Sequence, residues 1–344
     1  MMNEIAQQLE QTARAMVAGG KGILAIDESI PTIQKRFESI GIESTEATRR
    51  EYRELLITAP GGAEFISGMI LFDETIRQST GAGQPFTTAL MEQGIMPGIK
   101  VDRGAKDLPG HPGEKVTEGL DGLRDRLAEY RALGARFAKW RAVITIGNGI
   151  PTTGCIEANT HALARYAALC QEAGLVPMVE PEVLMDADNT VETCYEVTEA
   201  TLRSLWRQCY EQGVVLEHTI LKVNMVISGK KCPQQAGVQQ VADLTVRCLE
   251  NAVPAAIPGI VFLSGGQSAE LATAHLNAMN AGYPVLPWPL SFSYGRALQE
   301  PCLRTWGGKT GNIAAAQKAL LHRERCNSLA CAGRYTEAEE KAAA

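Results

Sequence analysis

Short β-type runs alternate with longer helical ones along the whole of this 344-residue chain, a pattern made by parallel strands joined through crossover helices. Strands are expected at 22–27, 65–72, 98–102, 137–144, 176–182, 219–225, 259–264 and 286–293. Eight such strands close a (β/α)8 TIM barrel. Helical periodicity is clearest at 46–58, 119–133, 159–173, 190–212, 238–253, 269–280 and 312–329, and a further helix over 3–17 precedes the first strand. No Pro/Ser/Gly-rich linker, low-complexity tract or charge block divides the chain, so a single domain over 1–344 is expected, with about 330–344 as a flexible tail. An open doubly wound sheet would place a Gly-rich phosphate loop after its first strand. Here Gly22-Ile-Leu-Ala-Ile-Asp27 runs into Glu-Ser-Ile-Pro instead, which favours the barrel.

Charged residues stand where these strands should be apolar. Lys222 sits in Thr-Ile-Leu-Lys-Val-Asn-Met, Lys139 and Arg141 in Phe-Ala-Lys-Trp-Arg-Ala, and Glu180 and Glu182 in Met-Val-Glu-Pro-Glu-Val. Strand residues two apart share a face, which pairs Lys139 with Arg141 and Glu180 with Glu182. Helices cover the outside of a parallel barrel, so charges near the C-terminal ends of strands should point into its mouth. Asp27, Lys100, Lys139, Glu180, Lys222 and Ser264 all lie near the expected ends of different strands. Two lysines about 5 Å apart at an effective dielectric of about 20 repel by roughly 3 kcal/mol, enough to lower a lysine pKa by about two units. Such an amine can attack a ketone or aldehyde, and the resulting Schiff base stabilises an adjacent carbanion. Glu180 could move the protons of carbinolamine formation and dehydration, and Asp27 could take a hydroxyl proton. The bland alternative makes each charge a paired strand end that closes the barrel. Two lysines, an arginine and two acids on neighbouring strands weigh against it.

Composition narrows the class further. Hydrophobic residues make up 45% of the chain and charged residues 21%, which excludes an extended disordered protein. A net charge of −6 argues against general binding to nucleic acid or to an anionic membrane. The nine cysteines contain no C-x-x-C pair, and the opening residues form no apolar run of signal-peptide length. A cytoplasmic protein with reduced thiols is expected. His111, His161, His218, His275 and His322 are dispersed without an H-x-x-x-H or Cys/His cluster, so no metal is expected.

Taken in order, Gly-Lys-Gly-Ile-Leu-Ala-Ile-Asp-Glu-Ser, Gly-Ile-Lys-Val-Asp, Phe-Ala-Lys-Trp-Arg, Val-Glu-Pro-Glu, Leu-Lys-Val-Asn-Met, Leu-Ser-Gly-Gly-Gln-Ser and Phe-Ser-Tyr-Gly-Arg-Ala resemble class I, Schiff-base-forming fructose-bisphosphate aldolase over about 20–335. The resemblance implies reversible, metal-independent cleavage of fructose 1,6-bisphosphate to dihydroxyacetone phosphate and glyceraldehyde 3-phosphate, with no cofactor beyond the covalent Schiff base on Lys222. It implies that Glu180 is the main general acid/base, that Asp27 assists cleavage, and that Lys139 and Glu182 tune and orient the site. One phosphate would be held by Ser264, Gly265, Gly295 and Arg296, and another by Ser29, Arg36 and Lys100. Thr32, Arg141 and Ser293 join them as expected substrate contacts. Phosphorylated sugars are the implied small-molecule partners, and a homotetramer is the implied assembly.

Four departures from the family pattern stand out. Val223 replaces the proline usual after the lysine, and Thr32 replaces a common serine while keeping the hydroxyl. Ile30-Pro31 replaces a smaller pair and should stiffen its loop. The sequence also closes on Glu-Glu-Lys-Ala-Ala-Ala, without the terminal tyrosine that assists enamine protonation in animal-type members; Tyr335 is the last tyrosine, and its position does not match that residue. A transaldolase-like barrel enzyme and a non-catalytic scaffold with this fold are the competing readings. A requirement for two substrate phosphates would discriminate against the first. The intact set Lys222, Glu180, Asp27 and Lys139 speaks against the second.

Overall fold

The computed structural model describes residues 2–342. Its strands are β1 (Gly22–Ile26), β2 (Ile66–Leu71), β3 (Met96–Lys100), β4 (Ala105–Asp107), β5 (Lys115–Thr117), β6 (Phe137–Ile144), β7 (Val176–Val183), β8 (Ile220–Val223), β9 (Ile260–Phe262) and β10 (Leu290–Tyr294). Eight of them close a parallel barrel in the order β1-β2-β3-β6-β7-β8-β9-β10, with β10 returning to β1. This is the (β/α)8 TIM barrel that the alternation implied. The remaining two, β4 and β5, pair antiparallel as a small ribbon outside the barrel, and the sequence reading did not find them.

The two-residue strand period sorts side chains between two packing environments. Ile23 and Ala25 of β1, Ile70 of β2, Phe137 of β6, Val176 and Met178 of β7, Ile220 of β8 and Val261 of β9 form one buried interior cluster. The residues between them, among them Leu24, Trp140, Val179, Leu221 and Phe262, face outward into the larger cluster shared with the helices. Leu9, Ala13 and Met16 of the helix Met2–Met16, together with Val17, join the interior cluster, so this helix closes the barrel's N-terminal end. Burying each such aliphatic side chain contributes about 1.5–3 kcal/mol. All four tryptophans are buried packing residues; Trp140 lies against Tyr166, and Trp306 stacks on Tyr52.

Several segments depart from the sequence reading. The last barrel strand spans Leu290–Tyr294 rather than 286–293, because Pro287 and Pro289 supply no ladder N–H. Helices Ile30–Glu38 and Arg296–Trp306 follow β1 and β10 and are not among the helices expected from periodicity. Residues expected in a flexible tail include the short helix Glu337–Lys341, capped by the Thr336 hydroxyl accepting from the Glu339 N–H. The Arg323 guanidinium pairs with Glu340 and so ties this helix to the helix Ile313–Cys331.

Candidate active site

On β1, β6, β7 and β8, the face that is apolar at the N-terminal end becomes charged at the C-terminal end. The interior parity of β1 runs Ile23, Ala25, Asp27, and that of β6 runs Phe137, Lys139, Arg141. On β7 it runs Val176, Met178, Glu180, Glu182, and on β8 it runs Ile220, Lys222. Register levels these residues across strands: Lys139 stands beside Lys100, Arg141 beside Glu180, and Val179 beside Leu221, which brings Glu180 level with Lys222. Asp27, Lys100, Lys139, Arg141, Glu180, Glu182 and Lys222 line a cavity of about 970 Å³, as do all the other site residues named from the sequence.

Glu180 bridges the two lysines. Its Oε1 lies 3.2 Å from Lys222 Nζ and its Oε2 lies 3.1 Å from Lys139 Nζ. Lys139 also meets Asp27 Oδ2 at 2.7 Å. Lys139, Glu180 and Lys222 are all at most 4% exposed. Burial alone would raise the Asp27 carboxyl, but the Lys139 and Lys222 charges outweigh it and hold the group at about 2. Glu180 is likewise kept below the usual carboxylate range, its burial outweighed first by Lys139 and then by Lys222. The expected lowering of a lysine by lysine–lysine repulsion does not hold for Lys139. Burial does push its ammonium down, yet Asp27, Glu180 and Asp102 overcome that and raise it above the ordinary lysine value. Lys139 is therefore a fixed cation that keeps two acids ionised.

Two cationic rims flank this centre. On one side, β9 ends before Ser264, and Gly265 and Gly266 turn the chain with φ of +54° and +82°, in the left-handed region where glycine carries no Cβ penalty. Gly295 caps the helix Arg296–Trp306, whose first N–H groups have no partner within the helix. Arg296 Nη2 donates to Gln267 O at 2.6 Å, and Ser293 Oγ is buried without a hydrogen-bond partner. Turn, helix N-terminus, hydroxyl and guanidinium together suit a phosphate. On the other side, Ser29 Oγ and Thr32 Oγ1 lie 3.0 Å apart, Arg36 pairs with Glu28, and Lys100 Nζ meets Asp102 Oδ1 at 2.6 Å. Arg141 Nε pairs with Glu182, which fixes the guanidinium within the cavity.

Sequence reasoning missed three of the residues that hold these groups. Glu28 is buried and contacts Arg53 at 2.6 Å as well as Arg36; burial would raise it, but the two guanidiniums hold it below the usual range. Asp102 accepts from the Arg141 N–H at 3.1 Å while pairing with Lys100. Lys230 also lines the cavity and pairs with Asp186 at 3.0 Å. Asp102 ends the strand expected at 98–102 and shares the parity of Lys100, so it was legible; Glu28 lies past the strand expected at 22–27 and Lys230 arrives from a loop, and no local pattern marks either. Tyr335 does not line the cavity, and its hydroxyl donates to Glu340 Oε2 at 2.6 Å. The reading of dispersed histidines also needs correction. His322 and Cys326 lie four residues apart on one helix and meet Glu340, with one ligand-type atom of each within 4.8 Å of the others, and none of the three lines the cavity.

Barrel and centre together define the class: a (β/α)8 enzyme with buried lysines and carboxylates gathered at one end of its strands. The family model for fructose-bisphosphate aldolase class-I matches residues 8–344. The chain is 64% identical over 330 residues to a probable fructose-bisphosphate aldolase class 1 of Xanthomonas campestris, covering 96% of this chain and 98% of that protein. It is 52% identical over 347 residues to the fructose-bisphosphate aldolase of Dictyostelium discoideum, covering 100% and 97%. Its structure matches fructose-bisphosphate aldolase from Plasmodium falciparum, solved in complex with TRAP and a small-molecule inhibitor, with a TM-score of 0.95 at 49% identity over 97% of this chain and 96% of that one. The chain belongs to the class-I fructose-bisphosphate aldolase family. Its activity is that of a carbon-carbon lyase, the reversible, metal-independent cleavage of fructose 1,6-bisphosphate to two triose phosphates through a lysine Schiff base.

Proposed function

We propose that Lys222 is the Schiff-base lysine and Glu180 its proton partner. The observation that carries this is the bridging carboxylate, with one oxygen on each lysine at 3.2 and 3.1 Å. Glu180 Oε1 takes a proton from the Lys222 ammonium, and the freed amine adds to the ketose carbonyl. The same carboxyl returns a proton to the carbinolamine hydroxyl, which leaves as water and gives the iminium. Asp27, held ionised by Lys139, takes the proton from the C4 hydroxyl. The C3–C4 pair then flows into the iminium, leaving an enamine on Lys222 and releasing the aldehyde. Protonation of the enamine and hydrolysis of the iminium return the lysine.

Ser264, Gly265, Ser293, Gly295 and Arg296 suit one phosphate of the substrate, and Ser29, Thr32, Arg36, Lys100 and Arg141 suit the other end. Glu182 orients Arg141. The expected test is cleavage of fructose 1,6-bisphosphate in EDTA by Glu180→Gln, which removes the shuttled charge at almost constant shape. Its kcat should fall by about 10²–10⁴-fold with KM little changed. A kcat within a factor of a few of the parent would remove Glu180 from the mechanism.

A homotetramer in the cytoplasm is part of the same reading. Exposed apolar side chains such as Tyr210, 86% exposed, offer surface that association would cover. Nine cysteines without a disulfide fit a reducing compartment, relatives from Arabidopsis thaliana carry the name cytosolic, and no helix among the described residues is long and apolar enough to cross a membrane. Recovery of the native protein in the membrane fraction of its cells would count against this compartment.

A further inference from the structure

His322 and Cys326 lie one turn apart on a single face of the helix Ile313–Cys331, and Glu340 reaches them from the helix Glu337–Lys341. One ligand-type atom of each lies within 4.8 Å of the others. We propose that His322, Cys326 and Glu340 form a structural zinc site that pins the helix Glu337–Lys341 to the outer layer of the barrel, with water as the fourth ligand. None of the three lines the catalytic cavity, so the site is separate from the lysine chemistry.

The spacing is close to what zinc requires. With Zn–S near 2.3 Å and Zn–N and Zn–O near 2.0 Å, tetrahedral ligand atoms stand about 3.3–3.5 Å apart. Cys326 Sγ is 3.6 Å from His322 Nε2, His322 Nε2 is 3.8 Å from Glu340 Oε1, and all three ligand atoms lie within 4.8 Å of one another, so the ion would draw the Glu340 carboxylate and the Cys326 sulfur inward. An imidazole and a thiolate favour zinc over magnesium or calcium, which take oxygen ligands. Uptake transfers no electrons: the ion displaces the Cys326 thiol proton to solvent, and the thiolate and Glu340 balance its two charges.

The surroundings hold the carboxylate in place. Tyr335 donates to Glu340 Oε2 at 2.6 Å, and Arg323 pairs with Oε1 while donating to Thr273 Oγ1 at 2.7 Å. Hydrogen-bonded outer partners of this kind orient ligating carboxylates. The Arg323 charge opposes the ion and limits its affinity, which sets this site apart from a closed all-cysteine one. Cys326 is 1% exposed, and the His322 and Glu340 side chains at 18% and 24% leave the route by which the ion enters.

The test uses the full chain, stripped with EDTA and desalted, then titrated with Zn²⁺ against a chromophoric chelator and separately with Co²⁺. One saturable equivalent per chain is expected, together with a thiolate-to-cobalt charge-transfer band in the near ultraviolet. Cys326→Ser and His322→Ala should each weaken zinc binding by about tenfold or more, and Cys326→Ser should remove the band. Both variants should cleave fructose 1,6-bisphosphate in EDTA at the parental rate. Glu340→Gln, which keeps the shape and the Tyr335 contact, gives the same zinc readout if either of the others misfolds. Zinc should also slow proteolytic release of the segment carrying Glu340. Absence of saturable binding, or binding indifferent to these substitutions and so located on other thiols, overturns the site.

Discussion

Lys139 and Lys222 enter the same cavity but meet different partners. Two carboxylates converge on Lys139, from Asp27 and Glu180, whereas among the described residues Glu180 alone stands against Lys222 at ion-pair distance. That asymmetry assigns the permanent cation to β6 and leaves the lysine of β8 as the nucleophile under the proposed mechanism. It also carries a stability consequence. The folded-state pKa of Asp27, about 2, lies below its unfolded value near 4, so its contribution is complete above about pH 5 and disappears as pH falls toward 2. The shift corresponds to about 2 kcal/mol. Chemical denaturation of parent and Asp27→Asn is expected to show the parent's stability falling between about pH 5 and 2 and a shallower fall in the variant. Identical slopes would mean that the pair with Lys139 does not hold in solution.

At the scale of the element, the site depends on strand parity. A one-residue slip of β6 would turn Lys139 and Arg141 outward into the helical layer, so the packing that fixes register also fixes catalysis. Phe137 anchors that register at the base of β6: the ring fills the space opposite Gly98 of β3, where any Cβ would collide with it, and a Cβ on Gly68 would lie 3.0 Å from the same ring. Gly98→Ala is accordingly expected to destabilise by about 1–3 kcal/mol in denaturant titrations, because overpacking must displace either Phe137 or β3. A cost below a few tenths of a kcal/mol would show that the floor of the barrel yields easily. Parity and alternation are local, and this is why the eight strands, Asp27, Lys139, Glu180 and Lys222 could be read from sequence. Glu28 and Lys230 were not, since their roles depend on Arg53 and Asp186 arriving from distant segments. The β4–β5 ribbon was missed for a related reason: strands of three residues carry too little periodicity to register. The helix Ile30–Glu38 was missed among the periodic segments because nine residues opening on Ile30-Pro31 show little of a helical repeat.

The whole molecule concentrates positive charge in one place. The chain carries a net charge of −6, yet Arg36, Lys100, Arg103, Arg141, Lys230 and Arg296 all border the cavity at the barrel mouth, which favours a doubly phosphorylated substrate over neutral sugars. The proposed homotetramer belongs to this scale. Sedimentation equilibrium is expected to return four chains per particle, and a monomer at micromolar concentration would remove assembly from the account. The role of Lys222 as the Schiff-base lysine is tested by covalent trapping. The protein is incubated with dihydroxyacetone phosphate and borohydride in EDTA, and the adduct is located by peptide mass spectrometry. One reduced adduct per chain is expected on Lys222, absent from Lys222→Met. An adduct on Lys139, or none while fructose 1,6-bisphosphate is still cleaved, would contradict that role.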